Sequence, residues 1–188
     1  MEIRERVVVS RPPAEVWRFL ADVPAVVACL PGAELGERRD DGTYAGALRV
    51  KVGPISARLE GEGRIMRDEA AMSGRIDGKG VDRRGGSRAT ATLHYAVLAA
   101  EGGRAAIEVS ADVVLSGPLA QIGRSGLVED VARSMTETFA ENLERRLSEV
   151  PGAAEPSRET AAFDAGRAVS RGLWARLLAW LKRLFGRA

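Results

Sequence analysis

The sequence predicts an α+β domain in which a curved antiparallel sheet is closed by one long helix, with a separate amphipathic helix at the C-terminus. Residues 33–116 consist of short alternating runs of apolar and polar residues separated by turn residues, a pattern typical of antiparallel strands. From residue 127 to residue 147 the apolar residues recur at helical spacing. Residues 172–188 place apolar and basic residues on opposite faces of a further helix.

A strand and two short helices precede the predicted sheet. Residues 7–9 form an apolar run that ends before Pro12-Pro13, and proline is favoured in the first turn of a helix. We therefore expect a helix after these prolines, a break at residues 22–24, and a second helix over residues 25–29. Pro31-Gly32 then turns the chain into the sheet.

The clearest predicted strands form a hairpin around Gly53-Pro54. Residues 48–52 and 55–60 alternate between apolar and polar side chains, which places one face toward a core and the other toward solvent. Glycine lacks the side chain that resists curvature, so glycines within strands predict a sheet that bends sharply. They are Gly61, Gly63, Gly74, Gly78 and Gly80.

The long closing helix has one apolar side. It comprises Leu127 or Val128, Val131, Met135, Phe139, Asn142 or Leu143, and Leu147. Residues 150–168 are rich in Pro, Ala, Gly, Ser and charged residues, the composition of a flexible linker. The predicted organisation is a folded domain over residues 1–149, a linker over residues 150–168, and an amphipathic basic helix over residues 169–188.

The C-terminal helix is predicted to lie on a membrane surface. Its apolar face consists of Leu173, Trp174, Leu177, Leu178, Trp180, Leu181, Leu184 and Phe185, and its basic residues include Arg176, Lys182 and Arg183. From Ala165 onward six residues are basic and none is acidic, a charge of +6, whereas the remaining 22 basic and 26 acidic residues give −4. Leucine and tryptophan opposite Lys and Arg suit the headgroup boundary of an anionic bilayer.

This helix is too short to span a bilayer. Residues 173–185 make roughly 20 Å of helix, against a hydrocarbon core of about 30 Å. The alternative is that its apolar face packs on the body of the protein or on a partner subunit. The sequence has no secretory leader and no segment of transmembrane length, so we expect a peripheral protein at the cytoplasmic face of the cell membrane.

The sequence offers little for catalysis. Cys29 and His94 are the only residues of their types, which excludes a disulfide framework, a cysteine-rich metal site and most nucleophilic triads. His94 alternates with Leu93 and Tyr95 and is therefore expected to face solvent. We expect no catalytic residue, no metal and no covalently bound cofactor. Binding of nucleic acid is disfavoured because Leu and Trp occupy the face opposite the basic residues of the tail.

Apolar residues on the inward faces of the strands and of the long helix are the candidates for lining a cavity. They are Cys29, Leu30, Val50, Val52, Ala57, Leu59, Met66, Met72, Val109, Val113, Val131, Met135 and Phe139. Residues at strand and helix spacing are also what an ordinary core requires, and a lone cysteine among apolar neighbours is commonly a small buried filler. Both roles stay open for this set.

Three motifs occur in order along the domain: CLPGAE at residues 29–34, KVGPI at residues 51–55 followed by Gly61, and GRSGLV at residues 123–128 followed by Phe139, Asn142 and Leu143. Over residues 1 to about 150 they resemble the CoxG family, the G subunits of carbon monoxide dehydrogenases. The order of elements is similar to the helix-grip fold of the START-like superfamily, also called Bet v 1-like. The resemblance implies association with molybdenum hydroxylases of the carbon monoxide dehydrogenase type, and their attachment to the cytoplasmic membrane.

Two main functions fit these expectations. In the first, the domain binds a hydrophobic molecule, a lipid quinone such as menaquinone or ubiquinone, and links the cytoplasmic enzyme to the membrane quinone pool. In the second, the protein is a membrane tether or assembly factor for the dehydrogenase with no ligand of its own. An internal cavity would favour the first function, and a tightly packed interior the second.

Catalysis is a third, less favoured function. START-like relatives include cyclases and hydratases, but an enzyme would need polar groups converging inside the grip. The strand faces expected to point inward are nearly devoid of them.

Overall fold

The structure is a computed structural model that describes residues 1–52, 55–122, 127–149 and 163–164. Its elements are β1 (Glu2–Val9), α1 (Pro13–Phe19), α2 (Val23–Val27), β2 (Ala33–Arg38), β3 (Tyr44–Val52), β4 (Ile55–Asp68), β5 (Ser73–Asp82), β6 (Ser87–Ala99), a 3₁₀ turn (Glu101–Gly103), β7 (Ala105–Ser116), α3 (Pro118–Ile122), α4 (Leu127–Ser148) and β8 (Phe163–Asp164). The predicted fold class is confirmed: a curved antiparallel sheet with a long closing helix.

The second helix begins earlier than predicted. It starts at Val23, and Pro24 lies in its first turn, where proline is tolerated. Asp22 caps it by accepting a hydrogen bond from the backbone N–H of Ala25 at 3.1 Å. The expected break at residues 22–24 is therefore a helix start.

The seven long strands follow the order β1-β7-β6-β5-β4-β3-β2. Strands β2 to β7 form an antiparallel meander, and β1 pairs with β7 at one edge, with Ile3 opposite Ala111. Because side chains alternate along each strand, this register assigns every residue to one of two faces. The inner face includes Ile107 and Ala57, which are buried in the core, whereas charged residues such as Arg58 and Arg75 lie on the outer face.

Helix α4 is shared by two separate hydrophobic clusters. The α1-end core consists of Val9, Val16, Trp17, Cys29, Val97, Ala105, Ile107, Ala140 and Leu143. The α3-end core consists of Ala57, Leu119 and Val131, with Val50, Ile55, Leu59, Leu115, Val128 and Met135 packed against them. The C-terminal half of α4 thus belongs to the first cluster and its N-terminal half to the second.

The bend of the sheet requires glycine at particular positions. A Cβ atom on Gly61 would overlap the Lys79 carbonyl oxygen on the neighbouring strand, and one on Gly46 would lie 2.7 Å from the Glu34 carbonyl oxygen. Neither strand could approach its neighbour so closely with a side chain present. These close approaches agree with the curvature predicted from the glycines.

One short strand lies within the segment predicted as a linker. Strand β8 pairs in parallel with β3, with Phe163 opposite Val50 and Asp164 opposite Lys51. The chain beyond α4 therefore returns to the sheet at this point. The rest of residues 150–168, the predicted membrane helix over residues 169–188, and Gly53-Pro54 lie outside the described residues, as do residues 123–126. Among the described helices, none is both long and apolar enough to cross a bilayer.

Candidate ligand-binding site

Small residues form the floor of the inner face between the two cores. The register aligns Gly63 with Gly78, and Gly78 with Ala91, in what we call the glycine row. A Cβ atom added at Gly63 would find no atom nearer than 3.7 Å, and one added at Gly78 none nearer than 3.9 Å. A methyl group would therefore fit above each of these two glycines, whereas it would not fit above Gly61.

Large apolar side chains border this floor. Ile65, Ile76 and Leu93 are aligned in the next row, which we call the isoleucine row. All three are partly buried, yet none belongs to either core cluster of the described residues. An apolar face with open space beside it is the kind of surface that a hydrophobic ligand covers.

The predicted cavity residues divide between the two cores. Cys29 is buried in the α1-end core, with Met72, Val109 and Phe139 in or against it. The α3-end core holds Ala57 and Val131, with Val50, Leu59 and Met135 against it. Val113 lies on the inner face opposite Ala91, and Leu30 is partly buried beside Cys29. For Val52 the structure gives only its backbone pairing with Ile55.

Met66 is a wrong prediction as a cavity residue. It lies on the outer face and is 41% exposed, because Ala57 and Leu59 point inward and a residue an odd number of positions further along must point outward. There it borders an open groove of about 750 Å³ together with Arg75 and His94. The apolar character of methionine suggested the inner face, whereas counting along the strand assigns it to the outer one.

Cys29 has the environment of a packing residue. It is 0% exposed, and burial raises the pKa of its thiol, with Arg146 and Arg145 acting weakly in the opposite direction. Its carbonyl oxygen accepts a hydrogen bond from Asn142 Nδ2 at 2.9 Å. This bond attaches the end of the α2 segment to α4, so the CLPGAE motif and Asn142 meet in the fold.

Polar side chains do occur inside the grip, contrary to the expectation of a nearly apolar inner face. Arg67, Gly74, Tyr95, Val109 and Glu5 are aligned across β4, β5, β6, β7 and β1 in what we call the Tyr95 row. The row follows the isoleucine row directly. Arg67 lies inside because it is two positions beyond Ile65 on the same strand, although charged residues are usually exposed.

Arg67 makes three contacts with two residues, Glu69 and Trp17, at the entrance to the α1-end core. Its Nε donates to Glu69 Oε1 at 3.0 Å, and its Nη2 donates to the Trp17 carbonyl oxygen at 3.3 Å. The guanidinium carbon lies 3.7 Å from the centre of the Trp17 ring, a cation–π contact. Its Nη1 is buried and has no hydrogen-bond partner in the described part of the chain.

Tyr95 and Glu69 complete this polar corner. The Tyr95 ring covers Gly74, where a Cβ atom would overlap it, and its centre lies 6.2 Å from that of Trp17. Burial raises the pKa of Tyr95, and the nearby Arg67 guanidinium opposes that shift. Glu69 accepts hydrogen bonds from Arg67 and from Trp17 Nε1. These two bonds, the one from Arg67 first, lower the pKa of Glu69 and keep it ionised.

The other polar member of the row is Glu5. Its side chain is 14% exposed, and its Oε1 lies 3.9 Å from Arg133 Nε on α4. His94 lies on the outer face and is exposed. In the described residues no group of three or more His, Cys, Asp or Glu is placed to hold a metal ion. The arrangement is suited to binding an apolar molecule with one polar end.

Solved structures with the same fold have low sequence identity to this chain. A conserved protein from Geobacillus kaustophilus superposes with a TM-score of 0.68 at 13% identity, covering 79% of this chain and 95% of that one. The TTHA0849 protein from Thermus thermophilus gives a TM-score of 0.57 at 17% identity, covering 79% and 97%. A START superfamily protein from Mycobacterium smegmatis gives 0.49 at 16% identity, covering 78% and 97%.

At these identities the first two of these likenesses show the fold alone. No curated protein matches the sequence. The sequence does match the family description of CoxG, the G subunit of carbon monoxide dehydrogenase, over residues 6–148. This range runs from β1 to the last turn of α4 and includes the glycine row and all of the Tyr95 row except Glu5. It confirms the resemblance seen in the three motifs, and the chain belongs to the CoxG family of carbon monoxide dehydrogenase subunits.

Proposed function

We propose that this protein binds a lipid quinone on the inner face of its sheet and links a molybdenum hydroxylase of the carbon monoxide dehydrogenase type to the membrane quinone pool. The observation that supports the proposal most directly is the lack of side chains at Gly63 and Gly78, with room for added atoms above both, beside the isoleucine row. Membership of the CoxG family supports a carbon monoxide dehydrogenase as the redox partner. A subunit of such an enzyme with an apolar binding face is suited to an apolar electron acceptor.

The physical reason for such a protein is the insolubility of the acceptor. Moving an isoprenoid chain from a bilayer into water costs about 0.8 kcal/mol for each exposed CH₂ group. An apolar face that covers the chain removes most of that cost. In this proposal the C-terminal segment, predicted from its sequence to be a helix with Trp174, Leu177 and Leu181 on its apolar face, holds the domain at the bilayer so that the quinone can enter and leave.

The proposal is tested by identifying the molecule that the protein extracts from native membranes. The purified full chain is incubated with native membranes and separated from them, and organic extracts are analysed by mass spectrometry. We expect about one lipid quinone per chain. A protein that carries no extractable molecule, yet binds both membranes and the dehydrogenase, would contradict the proposal and indicate a tether or assembly factor.

A matched pair of variants locates the ligand. Gly78→Leu places a large side chain in the open space above the glycine row, and we expect it to lose the extracted quinone. Thr90→Leu adds a leucine on the outer face, where Thr90 is exposed and paired with Lys79, and it should extract as much quinone as the parent. Equal extraction by both variants would place the ligand elsewhere.

A further inference from the structure

The polar corner at Arg67 has an unused hydrogen-bond donor next to the apolar isoleucine row. Arg67 uses Nε and Nη2 for contacts within the protein, which leaves Nη1 buried and unpartnered among the described residues. A buried donor without an acceptor is costly. A water, an ion or a bound ligand can supply the missing acceptor.

The corner is rigid. The Arg67 guanidinium lies over the Trp17 ring, and Trp17 is itself only 7% exposed in the α1-end core. The Tyr95 ring lies over Gly74, which is on β5, the strand between β4 with Arg67 and β6 with Tyr95. Donors held by packed aromatic rings lose little conformational freedom on binding, so they select by position as well as by charge.

Charge balance favours a neutral ligand group over an anion. Glu69 lies 3.0 Å from Arg67 and is kept ionised by the hydrogen bonds that it accepts from Arg67 and Trp17. The guanidinium charge is therefore already compensated. A carbonyl oxygen can accept the remaining N–H without adding charge, whereas a carboxylate or phosphate would lie close to the Glu69 carboxylate.

The corner also lies at a suitable distance from the open floor. Along β4, Gly63, Ile65 and Arg67 are successive inward positions, so the Tyr95 row is about 13 Å from the glycine row at the usual rise of a strand. A molecule with a carbonyl head and an apolar chain could hold its head at Arg67. Its chain would then cross the isoleucine row and lie over Gly63 and Gly78.

We propose that Arg67 Nη1 and the Tyr95 hydroxyl form the head-group site of this protein, binding a neutral carbonyl oxygen of an otherwise apolar ligand. This inference rests on the proposed function, since it specifies where a quinone head would bind. It assigns the ring carbonyl to the Tyr95 row and the prenyl chain to the isoleucine and glycine rows.

The test compares two ligands with the same carbon skeleton: 2-methyl-3-prenyl-1,4-naphthoquinone, and 2-methyl-3-prenylnaphthalene, which lacks both carbonyl oxygens. Binding to the full chain is measured by calorimetry. Quenching of Trp17 is followed in a background with Trp174→Phe and Trp180→Phe, which leaves Trp17 as the only tryptophan. We expect the quinone to bind at least about tenfold more tightly, as one hydrogen bond from a charged donor predicts.

Two variants and one control test whether the preference for the quinone over the hydrocarbon depends on Arg67 and Tyr95. Arg67→Met and Tyr95→Phe should each bring the two dissociation constants to within about threefold while leaving the hydrocarbon's own dissociation constant unchanged. Arg75→Met, on the outer face of β5 and 48% exposed, is the control and should keep the full preference. Because Arg67 also packs on Trp17, Tyr95→Phe serves as the milder variant if Arg67→Met does not fold.

Each failure has a separate meaning. If the parent binds neither ligand, the proposed function fails. If the parent binds both ligands equally, or the variants keep the preference, ligand binding stands and the head-group site is wrong. If oleate binds more tightly than the quinone and depends on Arg67, the site takes an anion, and the inference of a neutral carbonyl is overturned.

Discussion

The α1-end core and the glycine row lie on the same inner face, but they differ in what fills it. In the core, Val97 and Ile107 pack against Trp17 and Leu143 with at most 7% exposure. In the glycine row, Gly63 and Gly78 provide no side chain at all, and the neighbouring isoleucines stay outside both cores. One region stabilises the fold, and the other leaves room for a ligand. Stability and binding should therefore respond to different substitutions.

The largest expected effect comes from the core. Leu143→Ala removes a side chain that is 0% exposed, and we expect the free energy of unfolding in urea to fall by about 2–5 kcal/mol. Leu98→Ala, at a position 41% exposed, is the control and should change it by less than about 0.5 kcal/mol. Similar losses in both variants would mean that the α1-end core is not the stabilising region.

A pair of glycine substitutions sharpens the contrast within the sheet. Gly61→Ala forces a Cβ atom against the Lys79 carbonyl oxygen, so it should cost about 1–3 kcal/mol. Gly78→Ala points into open space and should be neutral or stabilising by up to about 1 kcal/mol, because alanine restricts the unfolded chain. Thermal denaturation of both variants measures the difference. A loss at Gly78 equal to that at Gly61 would mean that the space above the glycine row is filled.

A smaller effect is expected at the contact between α4 and the CLPGAE motif. Asn142→Ala removes the hydrogen bond to the Cys29 carbonyl oxygen and should lower the free energy of unfolding by about 1 kcal/mol. Quinone uptake should be unchanged, since this bond lies at the α1 end and away from the glycine row. Glu141→Ala, at an exposed position on the same helix, is the matched control.

The smallest effect is a dependence on pH at the polar corner. The pKa of Glu69 is lowered by its hydrogen bonds from Arg67 and Trp17, so the folded state favours the ionised form. The resulting stabilisation is present above the unfolded pKa of about 4.3 and is lost as pH falls through the lower folded pKa. The difference in Tm between the parent and Glu69→Gln should hold from about pH 6 to 8 and shrink below about pH 4. A difference that persists at about pH 3 would show that Glu69 acts through packing.

Local patterns in the sequence were sufficient to predict the fold. Alternation in residues 48–60 and the helical period after residue 127 identified the sheet and the closing helix. They also placed Ala57, Val131 and Leu143 on inward faces, and all three are buried in the two cores. The position of Pro24 was misjudged because a proline that breaks one helix can equally start the next when Asp22 caps it.

The site was only partly predictable, because register is a property of the folded sheet. Residue type alone assigned Met66 to the wrong face, and its neighbour Arg67 was absent from the predicted site residues. Counting along β4 would have corrected both. The glycine row was not predictable in the same way, since aligning Gly63, Gly78 and Ala91 requires the pairing of three strands. The glycines signalled curvature, and the space above them became visible only in the structure.

Strand β8 bears on the behaviour of the protein at high concentration. Pairing between β2 and β3 ends at Leu48, so the last hydrogen-bonding groups on β3 would form an open edge. Open edges recruit strands from other molecules and start aggregation. With Phe163 and Asp164 paired to Val50 and Lys51, the chain occupies that edge with its own segment. A truncation after residue 149 would remove this protection along with the tail, and chains shortened in this way would be prone to associate edge to edge.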